Sequence, residues 1–372
     1  MGDYCIFVSE TTCKMELYEY ARPEVMSGKK ILYLHGFASS GATGTARTLR
    51  VLLPQTEVLS PDIPEDPHVA VDYLKELCSR EKPDLVIGTS MGGMYASLLR
   101  GYDRILNNPA FQLADTLLKN YGLGRHEYFN PRQDGATSIL VTKGLLEAFR
   151  DVSSHCFDGI PEIDPRYPTP GNWTDEQNRV YGLFGIHDTL VHTYDLFASR
   201  FPNAIRFDGE HHVDDKALLH SVLPLIQRID DRQEGRSRKV IFIQWENTLA
   251  DLRNNLPRGM APEDFTPENS AVKAFRELAR RYDVYVVACP PYNHPPLWPD
   301  PVRWAEKWLG VEAWGHVIQT EWPQLLLGDY FIVRNPEHYR LEDFMGTVLQ
   351  LGGDTFRTWE DILAFYATLG GQ

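Results

Sequence analysis

The sequence predicts an α/β fold: a mostly parallel sheet covered by helices on both faces, then a second, smaller α/β domain. Three observations carry that prediction. Short apolar runs alternate with amphipathic stretches along the 372 residues. The strand-like runs, such as KILYLHG (30–36), DLVIGTS (84–90) and VYGLFGIHD (180–188), are continuously apolar, as in strands buried on both faces. A charged break, QRIDDRQEGRSRKV (227–240), separates two such alternating regions. The expected division is therefore 1–229, a linker at 230–238, and 239–372.

The elements follow in order. KILYLHG is a strand and Thr45–Leu53 a helix; EVLSPD (57–62) is a strand and Val69–Ser79 a helix; DLVIGTS is a strand and Met91–Leu99 a helix. Between Asn108 and Asn178 the pattern blurs, and a small helical insertion or cap is expected there. VYGLFGIHD and AIRFDGEHH (204–212) are later strands, and Leu218–Ile229 has helical periodicity. Beyond the break, KVIFIQWE (239–246), DVYVVACPP (283–291) and DYFIVRN (329–335) read as strands. AVKAFRELARR (271–281) and PVRWAEKWLG (301–310) read as helices.

Composition narrows the function. Apolar residues make up 43% of the chain, enough for two real cores. The net charge of −14 repels phosphate backbones and anionic headgroups, so neither nucleic acid nor membrane is an expected partner. Cysteines at 5, 13, 78, 156 and 289 form no CxxC pair, which fits free thiols in a reducing compartment. MGDYCIFVSE lacks a signal-peptide pattern, and no apolar run approaches the length of a membrane span. A cytoplasmic protein is expected.

The chemistry concentrates in Gly88-Thr89-Ser90-Met91-Gly92, a G-x-S-x-G pattern between a strand and a helix. Such a turn holds its serine in a strained backbone conformation, and side chains two positions either side would clash. It also leaves the Met91 amide at a helix N-terminus, where it can donate to an oxyanion. A second donor is expected after an earlier strand. His35-Gly36-Phe37 fits, with the Phe37 amide donating and His35 holding the loop. In the order serine, acid, histidine, Asp188 follows a strand and precedes an apolar helix start, whereas its competitor Asp195 lies inside that helix. His211 is the expected base, with His212 as the fallback. His187, His192, His211 and His212 have no metal-ligand spacing, so no metal or cofactor is expected.

ILYLHGFASSG, PDIPEDP, LVIGTSMGGMYA, NNPA and the GIHDTLV…DGEHH tail together resemble the YqiA/YcfP-like esterases of the α/β-hydrolase superfamily, over about residues 29–228. The resemblance implies a compact serine esterase or thioesterase with a small cap, acting on a small-molecule ester or thioester through Ser90, Asp188 and His211.

VIFIQWENTLADL (240–252) resembles the first motif of haloacid-dehalogenase-like phosphohydrolases, the deoxyribonucleotidase branch in particular. In that family two aspartates beside Mg²⁺ serve as nucleophile and general acid. Here Gln244 and Glu246 stand in their places. Ala288 replaces the expected threonine, Pro323 the lysine, and Val333 and Arg334 the later acid pair. The frame remains without its acids, which implies a non-catalytic accessory domain. Trp245, Trp298, Trp304, Trp308, Trp314 and Trp322 crowd this half, either as core or as a contact surface for a protein partner or self-association.

Overall fold

A computed structural model describes residues 18–164, 173–252, 264–289 and 300–369. Cys5, Cys13, the segment MGDYCIFVSE, Trp298 and the prolines at 165, 168 and 170 lie outside the described residues. The chain divides into two compact units, before and after the Asp230–Asp231 bond. The helix that ends the first unit runs on to Gln233, so the stretch expected as linker is helical where it begins.

The first unit is built on six parallel strands in the order β2-β1-β3-β4-β7-β8. They are β1 (Lys30–Leu34), β2 (Glu57–Leu59), β3 (Leu85–Thr89), β4 (Asp103–Asn107), β7 (Val180–Gly185) and β8 (Asn203–Phe207). Helices α1 (Gly44–Leu52), α2 (Pro67–Glu81) and α3 (Met91–Leu98) connect the early strands. Local chemistry sets their limits. For α2, Pro67 opens the helix with φ already fixed, Asp66 accepts from the amides of His68 and Val69, and Lys82 ends it in a left-handed conformation. The stripe Ala70, Leu74, Leu77 and Cys78 is buried, each leucine contributing about 1.5–3 kcal/mol of transfer energy. By contrast α3 is buried along most of its length and packs on β3, β4 and β1.

The insertion contains helices α4 (Leu113–Asn120), α5 (Lys143–Ser154) and the single turn α6 (Asp175–Asn178). It also contains an antiparallel pair, β5 (Gly124–Glu127) with β6 (Ser138–Val141), where only helices are expected from sequence. GRHE and SILV are only four residues each, too short for a period of two to show. After α7 (Tyr194–Ala198) and β8, the chain turns through Asp215–Ala217 and a π turn at Leu218–Val222 into α8 (Leu223–Gln233).

The second unit repeats the logic with five parallel strands in the order β11-β10-β9-β12-β13. These are β9 (Val240–Gln244), β10 (Asp283–Ala288), β11 (Val317–Gln319), β12 (Tyr330–Val333) and β13 (Thr347–Gln350). One core holds Ile241, Ile243 and Ile332 against α9 (Ala271–Ala279), α10 (Asp300–Trp308) and α11 (Trp359–Leu369). The opposite core gathers Phe242, Phe331 and Phe344. Trp245 and Trp304 are buried and meet edge to face, whereas Trp322 is 53% exposed.

Candidate active site

The sheet order lines the candidate residues up. Strands β1, β3, β4, β7 and β8 are successive neighbours, and from their carboxyl ends come Phe37, Ser90, Asn108, Asp188 and His211. Carboxyl ends of parallel strands are where open α/β sheets place their sites.

Ser90 has φ +56° and ψ −115°, a conformation that a residue other than glycine holds only under constraint. The constraint is visible at the flanking glycines. A Cβ on Gly88 would lie 2.2 Å from the Gly92 carbonyl oxygen, and one on Gly92 would lie 2.1 Å from that of Leu34. Strand and helix backbones thus touch where side chains would otherwise stand. The Ser90 amide donates to the Asn107 carbonyl at 2.9 Å, and its own carbonyl accepts from Ala110 at 3.1 Å.

Ser90 Oγ lies 3.1 Å from His211 Nε2, and His211 Nδ1 lies 2.7 Å from Asp188 Oδ2. With the imidazole proton on Nδ1, the serine hydroxyl donates to Nε2 and Nδ1–H donates to the carboxylate. Asp188 Oδ1 also accepts from the amides of Leu190 and Val191 at 2.8 and 3.0 Å. Burial opposes ionisation of Asp188. The hydrogen bonds from His211 and those two amides outweigh it and hold the carboxyl below its ordinary value. Asp195 and His212 are exposed, and neither joins this chain of contacts. His187 pairs with Asp208 at 3.1 Å on the surface, and His192 is exposed. Among the described residues, no group of three or more His, Cys, Asp or Glu is placed to hold a metal ion.

Phe37 and Met91 are both buried, and Met91 directly follows the serine. Met91 is the first residue of α3, so its amide has no intrahelical partner. Gly36 lies against Ser90, a Cβ there falling 3.6 Å from the serine Cβ. His35 is buried. It donates from Nδ1 to the Gly36 carbonyl at 2.8 Å and accepts at Nε2 from the Ile63 amide at 3.1 Å. Burial, more than any neighbour, pulls its pKa down to about 4. The loop between β5 and β6 is tied to the same turn. Phe129 N donates to the Ala38 carbonyl, Asn130 to Ser39 Oγ, and Ser40 Oγ to the Pro131 carbonyl.

Two residues near the site escape a sequence reading. Arg104 lies within β4 and Asn108 directly follows it; the strand's sequence DRILN is too polar at its ends to stand out. Arg104 is fully buried and donates to the carbonyls of Ser97 (2.8 Å), Tyr102 (3.2 Å) and Ala96 (3.4 Å) while pairing with Glu176. It therefore caps the far end of the helix that starts at the serine. The NNPA motif was a signal for Asn108, without indicating what its side chain does.

In the second unit Gln244 is buried at the end of β9 and donates to Glu246, whose other oxygen accepts from the Cys289 amide at 2.7 Å. Burial pushes the Glu246 carboxyl up. Arg334 donates from Nε to the Asn247 carbonyl at 2.8 Å, and its amide donates to Thr248 at 3.1 Å. A neutral amide at Gln244 and a guanidinium at Arg334 do not suit Mg²⁺, which requires anionic oxygen ligands.

Residues 30–144 match the model of an uncharacterised protein family, UPF0227. A protein of Vibrio phage KVP40, provisionally named a 5'(3')-deoxyribonucleotidase, is 25% identical over 163 residues, 40% of this chain and 95% of its own length. Among solved structures, the esterase Est1E from Butyrivibrio proteoclasticus is 16% identical with a TM-score of 0.39, covering 57% of this chain and 91% of its own. A monoacylglycerol lipase from Paleococcus ferrophilus is 13% identical with a TM-score of 0.37, covering 54% and 94%. Among the described residues no helix is long and apolar enough to cross a membrane. The chain thus carries two α/β units, each built on a parallel sheet, with residues 30–144 of the first matching UPF0227.

Proposed function

We propose that the first unit is a serine hydrolase cleaving a small-molecule carboxylic ester or thioester through an acyl-enzyme. The observation that carries this reading is the unbroken contact from Ser90 through His211 to Asp188, on a serine held at positive φ. In this reading Ser90 Oγ attacks the carbonyl carbon as its proton passes to His211 Nε2. Asp188 keeps the tautomer and stabilises the imidazolium. The amides of Phe37 and Met91 donate to the oxyanion. His211 then returns the proton to the leaving alcohol or thiol. Water, deprotonated by the same nitrogen, attacks the acyl carbon, and His211 passes that proton to Ser90 Oγ as the acyl bond breaks.

A fluorophosphonate probe tests it. Ser90 is expected to be the labelled residue, and Ser90→Ala to abolish labelling and ester turnover with the fold retained. Equal ester turnover in that variant, with no labelling of the native chain, refutes the reading.

We read the second unit as non-catalytic. Gln244 offers an uncharged amide already bonded to Glu246, and no anionic pair faces it from β12, where Val333 and Arg334 stand. Tryptophan-monitored melting is expected to be unmoved by Mg²⁺ with phosphomonoesters. Mg²⁺-dependent phosphate release lost in Gln244→Ala would overturn this.

A further inference from the structure

Asn108 is 1% exposed and follows β4 directly, with φ at +42°, a conformation asparagine tolerates better than most residues. Its side chain lies between the two arms that supply the acid and the base. Oδ1 accepts from the Gly185 amide at 2.8 Å, at the end of β7, three residues before Asp188. Nδ2 donates to the carbonyls of Glu210 at 2.9 Å and His211 at 3.1 Å. Its backbone amide donates to Leu183 at 2.8 Å, and the residue before it, Asn107, accepts from the Ser90 amide at 2.9 Å. Nucleophile, acid and base arms therefore meet at one dipeptide.

The match of donors and acceptors is complete. One oxygen faces one N–H, and two N–H groups face two carbonyls, which is the inventory of a carboxamide. A carboxylate of the same shape would keep the bond to Gly185 but turn an oxygen towards two carbonyl oxygens. Glycine would suit the backbone and satisfy none of the three groups, each of which costs energy when buried unpaired.

We propose that Asn108 is a positioning residue for the hydrolytic reaction, fixing the His211 backbone relative to Asp188 and Ser90. This rests on the serine-hydrolase reading. His211 must take a proton from Ser90 and later deliver it to the leaving group at the same nitrogen. Any drift of its backbone opens both its contacts together, and a misplacement of about 1 Å costs about 10²-fold in rate.

The test uses the full chain with Asn108→Gly and Asn108→Asp. Three quantities are read: the rate of Ser90 labelling by a fluorophosphonate, kcat and KM on p-nitrophenyl acetate, and the low-field proton resonance of His211 Nδ1–H. Both variants are expected to fold, to label and turn over about 10–100-fold more slowly with KM nearly unchanged, and to lose the resonance. Asn108→Asp, which keeps its anchor on β7, is expected to lose less than Asn108→Gly. Folded variants with the native labelling rate and resonance overturn the proposal. Should Asn108→Gly not fold, the isosteric Asn108→Asp decides. A native chain that neither labels nor turns over ester refutes the hydrolase reading. The His211 resonance, present in the native chain and lost or kept in the variants, then decides the positioning role separately.

Discussion

Gly92→Ala sets two effects of opposite sign against each other. Gly92 lies in the first turn of α3, and alanine in place of glycine favours a helix by about 0.8–1 kcal/mol. The new methyl, however, would stand 2.1 Å from the Leu34 carbonyl oxygen, 2.5 Å from its carbon and 2.8 Å from the His35 oxygen. Carbon needs about 3.5 Å to such atoms, so helix and strand must part by more than about 1 Å. No flexible side chain can give way, because every atom struck is backbone of β1 or its end. β1 is itself fixed between β2 and β3. Overpacking costs 1–3 kcal/mol, and here the upper end of about 3 applies. The net loss is about 2 kcal/mol, or a melting point about 4–8 °C lower. The same separation moves the Met91 amide away from that of Phe37, so ester turnover is expected to fall by about 10²-fold or more. The assay separates the units: seven of the eight tryptophans lie beyond residue 240, so tryptophan fluorescence follows the second unit and should not change. Hydrogen exchange of peptides from β1 and α3 should speed up. Unchanged or slower exchange there would show that helix propensity prevails and that the close approach does not determine stability.

Asp188→Asn is expected to lower kcat by about 10⁴ with KM nearly unchanged, because the amide cannot hold the Nδ1–H tautomer. Its carboxylate is favoured by the fold, so its contribution to stability is present above the ordinary carboxylate pKa and lost as pH falls below it. The native chain is expected to lose that contribution on acidification and Asp188→Asn is not. His35 titrates at about 4 in the fold, below its ordinary 6.5, so the unfolded chain binds the extra proton first. Stability of the first unit should therefore fall by up to about 3 kcal/mol between pH 6.5 and pH 4, and a His35→Gln variant should show a flatter profile in denaturant titrations. Arg104→Met leaves three carbonyls and Glu176 without their buried cation and should cost about 3 kcal/mol. Arg100, 3.6 Å from Glu176, keeps the figure at the low end, and a loss under about 1 kcal/mol in urea would refute the capping role.

Much of the site was legible because its physics is local. The glycines around Ser90 are dictated by contacts within one strand–turn–helix, and a five-residue window displays them. Asp188 could be ranked above Asp195 because one follows a strand and the other sits in a helix. The choice between His211 and His212 has a different character. Adjacent side chains point in different directions, and the sequence does not say which faces the serine. Arg104 and Asn108 were hidden for a related reason. A buried arginine and a left-handed asparagine look like surface residues until the helices and loops that supply most of their partners are in place. The β5–β6 pair was hidden because its two strands are only four residues each.

The sheet ends at β8, which is bonded to β7 alone. Beyond its bonds to Asn108, the loop carrying His211 thus hangs from a margin, while Ser90 springs from an interior strand with neighbours on both sides. Fraying at that margin would detach the proton acceptor while the rest of the framework stood. In the serine-hydrolase reading, gentle heating is then expected to silence ester turnover before the unit unfolds, and cooling to restore it without any refolding of the whole.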